Sequence, residues 1–264
     1  PYVEYLRNFR YDPSEINAKL VEGELDLGIK GTWERTVPWE VSLMAVISEL
    51  YFQHCDKNWK YDKEQQIAQI KAKALKMHGI TFADFGTRRR RSFDIQDLVV
   101  KTLKESTSTF SGTSNVYLAF KHGVKPIGTM AHEWIMGISA LESLRHANRY
   151  ALKIWSKVFD GRLGIALTDT FGTEAFFEDF DGYLARLFDG CRHDSGDPIE
   201  FGDKLIAHYK KLGIHPLSKT IVFSDGLNAE EAVRIENHFA GKIRTSYGIG
   251  TNLTNDFPGS KPLN

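Results

Sequence analysis

The chain has 264 residues, of which 42% are apolar and 26% charged, enough for one large globular domain or two small ones. Its 34 basic residues equal its 34 acidic residues, so the net charge gives no reason to expect a nucleic-acid or membrane partner. No apolar run approaches the roughly 20 residues of a membrane helix, and no secretory signal pattern is present. The two cysteines, Cys55 and Cys191, lack the spacing of a zinc site. We therefore expect a cytoplasmic protein, with nuclear presence possible in a eukaryote.

The first eighty residues form a mixed region in which the sequence shows no chemistry. An apolar stretch covers residues 41–52, and a helix is predicted over residues 62–78, where apolar side chains recur every three or four positions. Gly79 suits the left-handed cap of that helix. The chain begins at Pro1 and ends soon after a glycine-rich turn, so we expect a longer polypeptide at both ends.

From residue 81 onwards, short β-like segments alternate with helix-like stretches, including amphipathic ones at 144–158 and 205–212. This alternation predicts parallel strands with right-handed crossovers, in a barrel or an open α/β sheet. Binding sites in such folds form at the carboxyl ends of the strands. Seven predicted strands end in small or polar residues, within segments 84–87, 111–114, 128–129, 167–170, 192–196, 223–226 and 247–251.

His132 lies in the segment 128–134, directly after a predicted short strand at 124–127. A histidine at the mouth of an α/β site can act as a base, a metal ligand or a phosphate carrier. It can equally be a hydrogen-bonded residue of the core. The histidine alone does not decide between these roles.

The segment 191–198 places a cation, two carboxylates, a hydroxyl and a glycine in one turn. A simple turn also favours Asp, Ser, Gly and Pro. Arg192 and the paired aspartates nevertheless indicate a site, because arginine can bind a carboxylate or phosphate with two hydrogen bonds. Asp194 and Asp197 are suited to ribose hydroxyls or to magnesium.

Two glycine-rich segments, 223–227 and 246–252, follow consecutive predicted strands. Glycine lets the backbone approach a ligand closely, and exposed N–H groups with Ser or Thr hydroxyls at a helix start bind anions. One such segment is weak evidence of a site. Two at consecutive strand ends favour a phosphorylated ligand.

Arg88 begins a run of four arginines that follows a strand end directly. The run can be a solvated charged surface or a nucleic-acid patch, although it is short and lacks interleaved aromatic residues. We expect Arg88 to point into the site and some of the others to meet phosphate or solvent. Asp169 also follows a strand, where it can cap the helix expected near Thr173, act in catalysis or bind magnesium.

Taken together, the segments 85–91, 112–115, 128–134, 193–198 and 248–251 resemble those of the nicotinate phosphoribosyltransferase family, and 36–40 resembles it more loosely. The resemblance covers nearly the whole chain, in the order of the family. It implies an irregular (β/α) barrel packed against an α/β sandwich domain, with residues 1–80 in the sandwich and 81–264 in the barrel. It also implies a homodimer with shared active sites.

The activity implied by the resemblance is ATP-coupled transfer of a phosphoribosyl group from phosphoribosyl pyrophosphate to nicotinate, in NAD biosynthesis. His132 matches the histidine that ATP phosphorylates, Thr129 and Arg192 match nicotinate contacts, Phe85 matches the residue that stacks on the pyridine ring, and Thr251 matches a phosphoribosyl contact. Family members carry an N-terminal aromatic that stacks on the ring across the dimer, and nothing here matches it.

Resemblance and residue chemistry together predict one site. Its catalytic residues are His132, Asp169 and Asp194, its nicotinate-binding residues are Phe85, Arg88, Ser114, Thr129 and Arg192, and its Mg²⁺ ligands are Asp169 and Asp197. Its phosphoribosyl-binding and phosphate-binding residues are Asp194, Ser195, Gly196, Ser224, Asp225, Gly226, Gly248, Gly250 and Thr251.

Ser114 bears on the choice of substrate, because relatives that use nicotinamide carry an aspartate in the corresponding motif, and a carboxylate there would repel nicotinate. A phosphoribosyltransferase for nicotinamide or quinolinate remains an alternative. So do a non-catalytic scaffold that binds a phosphorylated metabolite and, on the arginine run alone, a nucleic-acid binder.

Overall fold

The computed structural model describes residues 2–57, 63–258 and 261–263. Its N-terminal part contains helix α1 (Tyr2–Asn8), a 3-10 turn and an antiparallel hairpin of β1 (Ile16–Val21) and β2 (Glu24–Ile29). Helices α2 (Trp33–Thr36), α3 (Trp39–His54) and α4 (Glu64–Met77) follow. The apolar stretch at 41–52 lies inside α3, and α4 confirms the helix predicted over 62–78, whose first residue is outside the described residues.

The larger part of the chain is an α/β unit. Its strands and helices, in chain order, are β3 (Phe82–Asp84), α5 (Phe93–Ser106), β4 (Phe110–Thr113), α6 (Val116–His122), α7 (His132–Leu141), α8 (Ala147–Val158), β5 (Ile165–Leu167), α9 (Thr173–Asp179), α10 (Gly182–Leu187), β6 (Gly190–His193), α11 (Pro198–Lys211), β7 (Thr220–Phe223), α12 (Ala229–Phe239), β8 (Arg244–Ile249) and α13 (Thr251–Thr254).

Six parallel strands form one sheet in the order β4-β3-β8-β7-β6-β5. This is the circular order of a barrel interrupted between β4 and β5, and the described residues show no ladder joining those two edges. The structure therefore confirms a parallel α/β fold but not a closed barrel. Before β3, the strands of the described residues are those of the β1–β2 hairpin, and the assignment of this region to part of an α/β sandwich stays a prediction.

The predicted strand at 124–127 is reduced to one parallel bridge between Thr113 and Pro126. Thr113 donates its N–H to the carbonyl of Lys125 at 3.2 Å, and Ile127 donates to the carbonyl of Thr113 at 2.9 Å. Proline has no N–H with which to extend a ladder. The other six predicted strand ends are confirmed, and each lies at the same edge of the parallel sheet.

Helix starts follow local capping chemistry. Asn115 accepts a hydrogen bond from the Leu118 N–H at the start of α6, and Asn228 caps α12 in the same way. The helix predicted over 144–158 begins later, at Ala147, because His146 adopts a left-handed backbone with φ of 62°. The Nδ1 of His146 lies 2.7 Å from a carboxylate oxygen of the buried Asp179. This contact helps to hold the turn before the helix.

The core lies between the sheet and its helices. Phe223 on β7 stacks on Phe239 of α12 and on Tyr247 of β8, each with ring centroids 5.7 Å apart. Helix α4 contributes Ala72 and Leu75 to the same core and packs against α5 and α12. The predicted domain boundary at residue 80 would separate α4 from this core, and that boundary stays a prediction. Within the described ranges, no helix is both long and apolar enough to span a membrane.

Candidate active site

Arg192 on β6 holds together side chains from three strand-end segments. Its Nε donates to the Ser224 hydroxyl at 2.8 Å, its Nη1 donates to the Thr129 hydroxyl at 2.7 Å, and its Nη2 lies 2.6 Å from Oδ2 of Asp194. The Arg192 side chain is 13% exposed, so little solvent competes for these bonds. The structure thus brings four of the predicted site residues together around one guanidinium group.

His132 is the first residue of α7 and faces the same cluster. Its Nε2 lies 3.1 Å from Oδ2 of Asp194 and 3.8 Å from Oδ1 of Asp169, and its Nδ1 lies 3.1 Å from the hydroxyl of Thr170. The side chain is 40% exposed. These contacts describe a histidine that a ligand can reach, and they do not fit a residue of the core. Thr170, which the sequence analysis left unassigned, belongs to this cluster.

Asp194 is held as a carboxylate. Burial by itself would raise the pKa of this carboxyl, but the charge of Arg192 and hydrogen bonds from Ser224, Arg192 and His132 bring the pKa below its ordinary value. The Ser224 hydroxyl lies 2.7 Å from Oδ1 of Asp194. An anionic Asp194 therefore faces Nε2 of His132 at neutral pH.

Asp169, directly after β5, is the one predicted magnesium ligand whose contacts suit a cation. Its Oδ2 accepts the Ser195 hydroxyl at 2.5 Å, while its buried Oδ1 has no hydrogen-bond partner. Asp197 instead caps α11 by accepting the Glu200 N–H at 2.8 Å, and that backbone bond is the largest cause of its lowered pKa. The described residues contain no cluster of three or more His, Cys, Asp or Glu that could hold a metal. The contacts favour Asp169 over Asp197 as a ligand, and the predicted pair stays a prediction.

The glycine-rich segment at the end of β8 makes room for Phe85. A Cβ on Gly248 would lie 2.4 Å from the Phe85 ring, and a Cβ on Gly250 would lie 3.2 Å from the Phe85 carbonyl oxygen. Thr251 begins α13 directly after Gly250. These glycines thus position the predicted ring-stacking residue, and their predicted contact with phosphate stays a prediction.

The glycine-rich segment after β7 has one residue in the Arg192 cluster, and the two that follow it are exposed. Ser224 is taken up by Arg192 and Asp194, as described above. Asp225 and Gly226 are exposed, and Gly226 has a left-handed φ of 57° with open space around it. Gly196, after β6, likewise has a φ of 85° and open surroundings. The open space at these two glycines leaves room for a ligand, and their predicted contacts with phosphate stay predictions.

Asp84 is a site residue that the sequence analysis missed. It is fully buried at the end of β3, where it accepts hydrogen bonds from the Gly86 N–H, the Thr113 hydroxyl and the Gln96 amide, at 2.7 to 2.8 Å. Burial raises its pKa, against these three bonds and the charge of Arg90. Asp84 thereby ties together the turns after β3 and β4. A carboxylate that ends an apolar run was the signal for it.

Arg88 does not join the Arg192 cluster. Its Nη1 lies 2.8 Å from Oε1 of Glu40 on α3, and both side chains are nearly half exposed. Ser114 is also exposed, and its backbone N–H donates to the Asp84 carbonyl at 2.8 Å. The structure leaves the nicotinate-binding roles of Arg88 and Ser114 as predictions.

Two other arginines of the run, Arg90 and Arg91, pack against aromatic rings of helices. Arg91 is buried, with its guanidinium carbon 3.7 Å from the ring centroid of Phe52, and Arg90 lies over the ring of Phe93 at 5.2 Å. Arg91 is therefore not among the arginines that meet solvent, and the expectation that some of the others meet phosphate or solvent stays a prediction. The planar group of Arg91 stacks on an aromatic ring and joins α3 to the sheet.

An arginine, a histidine and two carboxylates at the carboxyl ends of parallel strands define an α/β enzyme that binds small, polar substrates. The family model of the nicotinate phosphoribosyltransferase (NAPRTase) family matches residues 80–263. A nicotinate phosphoribosyltransferase of Methanosarcina acetivorans is 52% identical over 283 aligned residues, which cover 100% of this chain and 70% of the relative.

Solved structures of the same family have closely similar folds. The nicotinate phosphoribosyltransferase of Porphyromonas gingivalis has a TM-score of 0.97 at 41% identity, covering 100% of this chain and 68% of that one. That of Vibrio cholerae has a TM-score of 0.94 at 38% identity, covering 100% of this chain and 66% of that one. The chain belongs to the nicotinate phosphoribosyltransferase family, which is a family of enzymes.

Proposed function

We propose that this enzyme transfers the phosphoribosyl group of phosphoribosyl pyrophosphate to nicotinate, with ATP hydrolysis coupled to the transfer, and so forms nicotinate mononucleotide and pyrophosphate for NAD biosynthesis. The observation that carries the proposal is the arrangement of Arg192. It offers a desolvated guanidinium beside the Thr129 hydroxyl, and such a pair of donors suits the carboxylate of nicotinate.

The ring of nicotinate needs an apolar face, and Phe85 supplies one beside the β8 strand end. The pyridine nitrogen is already a free nucleophile, so the transfer needs no general base. The pyridine nitrogen attacks C1 of the ribose while the bond from C1 to the pyrophosphate oxygen breaks. Positive charge develops on the sugar during this step. The anionic Asp194 is suited to stabilise that charge, and the carboxyl group of Asp169 lies on the same side of His132.

The surroundings of His132 support its role as the phosphate carrier. The Asp194 carboxylate can only accept a hydrogen bond, so the adjacent Nε2 carries the proton. Nδ1 then keeps its electron pair, which the Thr170 hydroxyl contacts at 3.1 Å until a phosphoryl group takes its place. We propose that Nδ1 attacks the terminal phosphorus of ATP, with ADP as the leaving group. No side-chain hydrogen bond caps the start of α7, so its first backbone N–H groups are suited to the new phosphoryl group.

The anionic leaving group calls for a divalent cation as well. We propose that Asp169, whose buried Oδ1 has no hydrogen-bond partner, would hold Mg²⁺. When bound, the ion would neutralise negative charge on the pyrophosphate. The homodimer with shared active sites stays part of the proposal, and light scattering of the purified protein tests it.

The first experiment incubates the protein with phosphoribosyl pyrophosphate, Mg²⁺, ATP and one pyridine at a time. We expect nicotinate mononucleotide from nicotinate, and far lower kcat/KM values with nicotinamide or quinolinate. Preference for either of the other pyridines would contradict the proposal. A phosphoribosyl pyrophosphate complex that yields no product with any pyridine would favour the non-catalytic scaffold.

A second experiment addresses His132 through ATP labelled in its terminal phosphate. We expect acid-labile label on the protein, lost in His132→Ala and kept in His238→Ala, a matched change at a histidine that contacts Asp203 on the surface. Unchanged coupling of ATP hydrolysis to product formation in His132→Ala would remove His132 from the mechanism.

A further inference from the structure

Thr87 has a hydrogen-bonding arrangement that no role described above uses. It begins the 3-10 turn after β3, two residues beyond Phe85, and is partly buried. Its Oγ1 accepts one hydrogen bond from Nε2 of Gln96 at 3.0 Å and a second from Nδ2 of Asn115 at 3.3 Å. Two amide groups from different elements thus converge on a single hydroxyl oxygen.

The orientation of the Gln96 amide is determined by its other partners. Its Nε2 also faces Oδ2 of the buried Asp84 at 2.7 Å, and its Oε1 accepts from Nη1 of Arg90 at 3.2 Å. Arginine can only donate, so the Gln96 oxygen must face Arg90 and the nitrogen must face Thr87.

The orientation of the Asn115 amide is determined in the same way. Its Oδ1 accepts the backbone N–H of Leu118 as the N-cap of α6, at 3.0 Å. A backbone N–H can only donate, so Oδ1 stays on that side and the Asn115 nitrogen faces Thr87. Neither amide can be reversed without losing a bond to a group that only donates.

A threonine hydroxyl has two lone pairs and one proton. Both lone pairs of Thr87 are taken by the two amides, so its proton is directed elsewhere. Among the residues that the structure describes, this O–H has no acceptor. Thr87 is therefore a donor with a defined direction, at the carboxyl edge of the sheet and in the same turn as Phe85.

We propose that Thr87 is a further substrate-binding residue of this site, whose hydroxyl donates to an anionic oxygen, either of the nicotinate carboxylate or of a phosphate. This inference rests on the proposed function. A carboxylate accepts such a bond through either oxygen, whereas the amide of nicotinamide accepts it in only one of its two orientations. The phosphate of the phosphoribosyl donor offers the same chemistry, and kinetics separates the two sources.

The test compares Thr87→Val, which removes the hydroxyl at nearly constant volume, with Thr87→Ser, which restores it. We expect Thr87→Val to lower kcat/KM about 10- to 100-fold, the size expected for a hydrogen bond to a charged group, and Thr87→Ser to recover most of it. A raised KM for nicotinate alone assigns the bond to the carboxylate, and a raised KM for phosphoribosyl pyrophosphate alone assigns it to phosphate. Thr109→Val, before β4, is the matched control and should match the wild type.

Asn115→Asp supplies a second test that a purely structural role would not pass. An aspartate keeps the cap of α6, but its second oxygen accepts the Thr87 proton and turns the hydroxyl inward. We expect Asn115→Asp to lower kcat/KM in the wild-type background and to have a smaller effect in Thr87→Val, where there is no hydroxyl to turn. Equal effects in both backgrounds would show that the added charge alone is responsible, and would overturn the inference.

The wild-type reaction keeps the two proposals distinguishable. Absence of product from nicotinate in the wild type contradicts the proposed function. An active wild type whose kcat/KM changes less than twofold in a folded Thr87→Val contradicts the role of Thr87 alone. Circular dichroism and thermal melts of each variant establish the folded state.

Discussion

Arg192 shows how one side chain organises a site made of separate segments. Its three nitrogens contact Ser224, Thr129 and Asp194, which come from three different strand ends. A lysine has the same charge but lacks the planar fork that makes these contacts at once. The guanidinium also acts on its neighbour, because it is the largest favourable influence on the ionised form of Asp194.

The lowered pKa of Asp194 predicts a stability that depends on pH. A carboxyl whose pKa is lower in the folded than in the unfolded state stabilises the fold above the unfolded value, near 3.9, and loses that contribution as the pH falls through the folded value. Urea unfolding should therefore show Asp194→Asn less stable than the wild type at pH 7, with the difference shrinking below about pH 4. A difference that grows towards acid pH would contradict the assignment.

At the scale of elements, close approach between neighbouring strands places the aromatic ring of the site. β3 and β8 are paired in the sheet, and Phe85 follows β3 while Gly248 lies within β8. Only hydrogen at the Cα of Gly248 leaves room for the ring. The strand pairing, rather than the glycine-rich pattern by itself, therefore sets where a pyridine ring can stack.

Gly248→Ala tests this packing. The added methyl group would displace Phe85, so we expect a raised KM for nicotinate and a loss of about 1–3 kcal/mol in the free energy of unfolding. Gly28→Ala in the exposed β2 is the matched control, because a Cβ there meets its nearest atom at 4.0 Å. Kinetics and urea unfolding measure both effects, and wild-type kinetics in Gly248→Ala would show that the Phe85 ring is not needed where it lies.

At the scale of the molecule, the site depends on segments far apart in sequence. Trp33, which precedes the sheet, donates from its indole nitrogen to Glu133 at 2.8 Å, and its ring fits against Gly137 of α7. The N-terminal part thus contacts the helix that begins with His132. Any substrate that bridges Arg192, His132 and Phe85 would hold several strand ends together.

This arrangement predicts that ligand binding stabilises the whole fold. At a concentration of 100 times its Kd, nicotinate mononucleotide should add about 2.7 kcal/mol to the free energy of unfolding. For a chain of this size the melting temperature should rise by roughly 5–10 °C. Nicotinamide mononucleotide at the same concentration is the control and should give a smaller shift. Equal shifts would indicate that the carboxylate of nicotinate is not recognised.

The parallel fold, and the edge of the sheet at which the candidate residues lie, were predictable because both follow from local sequence patterns. Alternating strand and helix signals give a parallel sheet, and polar residues directly after strands such as β6 must then lie at one edge. Asp84 and Thr87 were not predictable, because their roles depend on Gln96 and Asn115, which approach from α5 and from the turn after β4. The spacing of apolar residues along the sequence does not indicate where such polar side chains point.

The sequence by itself determined the strand ends, the candidate residues and, through its resemblance, the family to which the chain belongs. Only the tertiary structure decided which candidates meet. In the folded protein Arg192 contacts Thr129, Asp194 and Ser224. Asp197 caps a helix, Arg91 lies over an aromatic ring, and Arg88 pairs with Glu40. The physical reason is that hydrogen bonds and ion pairs act over a few ångströms, and those distances are set by packing between elements distant in the chain.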